Sequence, residues 1–68
     1  MDEMELFMKG FNKYLMRMGY ESIGRITKAI YFRYNGYPEE IKEVVEDMRP
    51  EERLLYDIWS DWANSQEA

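Results

Sequence analysis

Asp57 and Asp61 stand four residues apart, one turn along any helix that contains them, so two carboxylates would share a face. Paired carboxylates can divide acid and base duties, but glycosidase-type chemistry also needs a walled cleft, which a 68-residue chain has little material to build. Other reactive groups are scarce. The chain has no histidine and no cysteine, so the commonest general base and the best activated nucleophile are both missing, and with them the usual disulfides and structural zinc sites. The three serines have no visible base: Ser22 reads as a helix cap, Ser60 as the polar side of a helix and Ser65 as tail. Gly10, Gly19, Gly24 and Gly36 are isolated and form no phosphate loop. The expectation is a protein that is not an enzyme and takes no metal and no cofactor.

Association is the chemistry left. The charge changes sign near residue 38: residues 1–38 carry six basic groups against four acidic ones, a net +2, and residues 39–68 carry ten acidic groups against three basic ones, a net −7. Such asymmetry bears on partners rather than on fold. Glu39, Glu43, Glu46 and Asp47 form a negative stripe with Lys42 at its margin, suited to a basic groove on a protein or to imitation of nucleic-acid phosphates. Phe32 falls on the side of its helix that also carries Arg25 and Lys28, an apolar ring in a basic setting. It can pack on another helix, anchor a partner or a second copy, or stack a base. These seven residues are the predicted partner-binding set. Leu6 and Met16 lie off the main apolar stripe of a methionine-rich first helix (Met1, Met4, Met8, Met16 and Met18) and are further interface candidates.

The elements that position these groups follow from apolar spacing. Met4, Phe7, Met8, Phe11, Leu15 and Met18 recur at three- and four-residue intervals and predict a helix over 3–18, ended by Gly19. Ser22 is the expected N-cap of a second helix over 22–35, with Ile23, Ile26, Ile30 and Tyr34 on one face and Asn35-Gly36 as terminator. The alternative there is a short hairpin near 29–37, because Ala29 to Tyr34 is rich in strand formers and Asn-Gly favours a tight turn. Against it, Tyr37-Pro38-Glu39-Glu40 suits a helix start, with proline in the first turn and carboxylates at the positive end of the dipole. A third helix over 38–48 presents Ile41, Val44, Val45 and Met48. A second Pro-Glu-Glu start at Pro50 opens a fourth over 50–63 with Leu54, Leu55, Ile58, Trp59 and Trp62, and 64–68 is expected to fray.

The predicted fold is therefore all-α, a compact bundle of about four short helices in one domain, 1–68, with α+β as the alternative. An acidic start and the lack of any apolar run near the ~20 residues that span a bilayer predict a cytoplasmic protein with no membrane partner. The predicted function is a small acidic binding module, a regulator or inhibitor of the kind phages and mobile elements encode, that occupies a surface of a larger protein. A helix-turn-helix DNA regulator using Arg25, Lys28 and Arg33 is the rival, opposed by a net charge of −5 that repels phosphate. A structural subunit is the third reading. With a small core and no covalent staple, a homo-oligomer is a further expectation.

Overall fold

In the computed structural model, which describes residues 2–67, the Asp2 carboxylate accepts the Glu5 backbone N–H at 2.8 Å and so caps the first helix, α1 (Glu3–Leu15). Met1, counted among the methionines of the first helix, and residue 68 of the tail lie outside the described residues. Three further helices follow, α2 (Tyr20–Asn35), α3 (Pro38–Asp47) and α4 (Pro50–Glu67), and no strand occurs among the described residues. The all-α bundle is the fold, and residues 29–35, the would-be hairpin arm, are helical.

The prolines and Gly36 act locally as expected. Gly36 sits in the left-handed region at φ 73°, closing α2 with Tyr37 N–H donating to the Phe32 carbonyl at 3.0 Å, and Pro38 and Pro50 are the first residues of α3 and α4. Four boundaries differ, the smallest being the end of α3, which stops at Asp47 rather than 48 because Met48 is already extended. The first helix ends at Leu15 rather than 18, because the chain tightens into a turn in which Arg17 and Met18 donate to the carbonyls three residues back. Gly19 is not a left-handed terminator but the extended N-cap of α2, its carbonyl accepting the Ile23 N–H at 3.0 Å; α2 thus starts at Tyr20, and Ser22 is inside it rather than capping it. Helix α4 runs to Glu67 instead of fraying after 63, and Arg33 of α2 holds Asn64 there through a 2.8 Å hydrogen bond.

Packing passes chiefly from α3 to α2, from α2 to α4, and from α4 to α1. Trp59 and Ile26 are its buried centre, with Ala29, Phe11, Leu15, Val44, Leu55 and Tyr56 around them. Phe7 stacks nearly coplanar on Trp62, ring centroids 4.3 Å apart, which joins the start of α1 to the end of α4 and makes the two antiparallel. The shortest dimension is 17 Å, room for two layers of helices at ~10 Å spacing and not for a third. In so thin a body no helix is covered all round. Several apolar residues expected inside are consequently exposed: Met4 on α1, Tyr34 on α2, and Leu54 and Ile58 on α4.

Candidate interaction surface

Glu52, read from the sequence only as part of a helix start, is the buried anion of the fold. As the third residue of α4 its side chain turns back to its own N-cap, Oε1 accepting the Arg49 N–H at 2.9 Å, which is one half of a capping box. The same carboxylate takes a fork from α2: Arg25 Nε donates to Oε1 and Nη2 to Oε2, both at 2.7 Å, and the Ser22 hydroxyl also donates to Oε2. Glu52 is 1% exposed. The Arg25 guanidinium, opposed by burial but helped by Ser22 and the Arg49 N–H, holds its carboxyl down at about 2. Glu40, the same position of the other Pro-Glu-Glu start, is exposed with no such partner. The two starts share backbone chemistry and nothing more.

The predicted site is thereby rearranged. Arg25 is drawn inward as the Glu52 partner, its pKa raised chiefly by that hydrogen bond. Phe32 does not stand free; it is half-buried against the core, and its ring meets Tyr31 at 5.8 Å and Tyr37 at 6.1 Å, both edge-on. Lys28 is exposed and places Nζ 5.8 Å from the Phe32 centroid. A continuous aromatic strip, Tyr31–Phe32–Tyr37, therefore crosses the corner between α2 and α3, with both tyrosines open to solvent. Glu39 follows Tyr37 by two residues, and Glu39, Glu43, Glu46 and Asp47 are all exposed along α3. None of the four makes an ion pair or hydrogen bond through its carboxylate among the described residues; Asp47 acts on Arg25 only through its field. The side of α3 opposite this ridge carries Val44, which is buried, and Ile41, Val45 and Met48, which are partly so.

A second surface lies between α1 and α4. Tyr14, Met18, Leu54 and Ile58 line a groove of about 420 Å³ that continues past Gly10 and Leu6 into another of about 270 Å³, the two sharing Tyr14, Leu55 and Ile58. Leu6 was singled out from the sequence and is here; Met16 is exposed elsewhere. Leu54 and Ile58 were missed because helical spacing shows which residues share an arc and not how much of the arc is covered. Both Asp57 and Asp61 are exposed, and among the described residues no three metal-ligating side chains converge. No helix is long and apolar enough to cross a membrane, among the described residues. No family model, no curated protein and no solved structure matches this chain.

Proposed function

We propose that the protein is a small acidic binding module without catalytic activity, a regulator or inhibitor that covers a basic surface of a larger protein with the corner between α2 and α3. The observation that carries this reading is the exposed aromatic strip Tyr31–Phe32–Tyr37 running into the unpaired carboxylates of α3. Tyrosine contributes a large, stiff contact area with a polar tip, and it is enriched where proteins meet. An arginine on the partner would find both of its preferred contacts here, a ring face and a carboxylate fork. The carboxylates of Glu39, Glu43, Glu46 and Asp47 would speed and orient the encounter more than tighten it. The same ridge suits a partner groove that otherwise holds nucleic-acid phosphates. It is ill suited to DNA itself, since α3, the second helix of any helix-turn-helix, presents carboxylates outward.

Phe32 supports the core, so its removal confounds folding with binding, and the exposed tyrosines are the cleaner probes. Tagged wild-type protein, the Tyr31→Ala/Tyr37→Ala variant and the Glu43→Lys/Asp47→Lys variant would each be used to capture partners from the native host, identified by mass spectrometry. The binding would then be repeated with the purified partner. The expected result is one larger protein retained by wild type, with the tyrosine variant at least about tenfold weaker through faster dissociation, and the charge-reversed variant associating more slowly in a salt-dependent way. Equal affinity of both variants at wild-type helicity would refute the assignment.

A further inference from the structure

The groove between α1 and α4 is an apolar surface that folding leaves uncovered. Leu6, Tyr14, Leu54 and Ile58 are 57%, 65%, 64% and 47% exposed along it. Gly10 lies between Leu6 and Tyr14, and a Cβ there would meet nothing within 4 Å, so bare backbone is open to whatever approaches. Clustered apolar exposure of this kind marks an interface.

Its charged edges say what fits. On the α1 side the residues beyond the groove are Lys9 and Lys13 of the helix and Arg17 of the turn that follows it, three exposed cations at four-residue spacing, the last two beside Tyr14. The α4 side carries Glu51 in the groove and Asp57 and Asp61 beyond Leu54 and Ile58, with Arg53 the one base among them. One edge is basic and the other acidic. Because α1 and α4 are antiparallel, with Phe7 against Trp62 toward one end and Met18 and Glu51 lining the same groove toward the other, the register runs Lys9 opposite Asp61, Lys13 opposite Asp57 and Arg17 opposite Glu51 to within about one residue.

We propose that this groove is a homodimer interface, occupied by the same groove of a second copy across a two-fold axis parallel to the helices. A two-fold contact uses the same patch on both partners. Among the axes in the plane of the face, two keep the helices of the two copies aligned rather than crossed. The axis perpendicular to the helices sets α1 on the second α1 and matches cation with cation. The axis parallel to them lays α1 antiparallel on the second copy's α4, so that Lys9, Lys13 and Arg17 meet Asp61, Asp57 and Glu51 twice over. Apolar contact among Leu6, Tyr14, Leu54 and Ile58 then supplies the affinity, and the edges select the register. The surface is separate from the α2–α3 corner, so a dimer would display two copies of that corner.

The test uses charge-reversed pairs. Wild type, Lys9→Glu/Lys13→Glu, Asp57→Lys/Asp61→Lys and Ile58→Asp would be run by sedimentation equilibrium from micromolar to millimolar concentration, with circular dichroism as the folding control. Wild type is expected at twice the 8.3 kDa chain mass. Each variant should weaken dimerisation at least about tenfold, as loss of a central contact does. An equimolar mixture of the two charge-reversed variants should recover a one-to-one dimer, since each then meets its opposite on both edges. A wild-type monomer throughout overturns the proposal, as does a dimer indifferent to Ile58→Asp, or a mixture that stays monomeric. Zero-length crosslinking of mixed ¹⁵N and ¹⁴N wild type, expected to join Lys13 to Asp57 between copies, decides the matter without variants; crosslinked dimer lacking that pair counts against it.

Discussion

Glu52→Gln removes one charge from a side chain that is 1% exposed and keeps its volume. Three donor groups then lose their anion: the Arg25 fork, the Ser22 hydroxyl and the Arg49 N–H. The Glu52 carboxyl is held at about 2 against an ordinary 4.5, and at ~1.36 kcal/mol per pKa unit that is about 3 kcal/mol of folded-state stabilisation at neutral pH. The Arg25 side chain is 28% exposed, so water screens part of the pair, and about 2 kcal/mol is the figure to test. A folded pKa below the unfolded one contributes stability that is complete above the unfolded pKa, 4.5, and lost as pH falls through that value toward 2. The assay is urea unfolding of wild type and Glu52→Gln at equal chain concentration, at pH 7 and pH 3. The variant should be less stable by about 2 kcal/mol at pH 7, and roughly more than half of that difference should be gone at pH 3. Subtracting the variant cancels the other carboxylates, which titrate in both proteins. A difference below about 1 kcal/mol at pH 7, or one that is the same at both pH values, would refute the claim that this carboxylate is an ionised internal anchor.

Gly36→Ala should destabilise by about 1 kcal/mol or more, because φ 73° suits glycine, whereas Gly24→Ala, in a helix with open space around the new methyl, should stabilise by about 0.5–1 kcal/mol; thermal melts of the two should move in opposite directions. Trp59→Ala should cost about 3–5 kcal/mol, enough to unfold a domain this small, and a cooperative wild-type-like melt in that variant would contradict the placement of Trp59 at the centre of the core. The fluorescence of Trp62 should shift on Phe7→Ala while helicity stays near wild type, since the stacked pair joins the ends of α1 and α4 without belonging to the fully buried core. Duplex DNA should not bind at physiological salt, and a gel shift showing sequence-specific affinity tighter than about 10⁻⁷ M would restore the helix-turn-helix reading.

Proline, glycine and apolar spacing were enough to determine the four helices and half of their ends. Pro38, Pro50 and Gly36 act through their own backbone geometry, which needs no distant partner, and so their effects are legible one residue at a time. The exposed carboxylates of α3 were legible for a similar reason, since four of them fall opposite Ile41, Val44 and Val45 on one short helix. Tertiary structure decided the rest. Whether Glu40 or Glu52 would be buried depended on which of two identical helix starts lay under Arg25, a contact across 27 positions of the chain. Whether Phe32 stood free depended on Tyr37 turning back over it, and whether Leu54 and Ile58 were core or groove depended on the thinness of the body. A helical pattern states which side chains point the same way; only the neighbouring helices determine which of those directions is shielded from water.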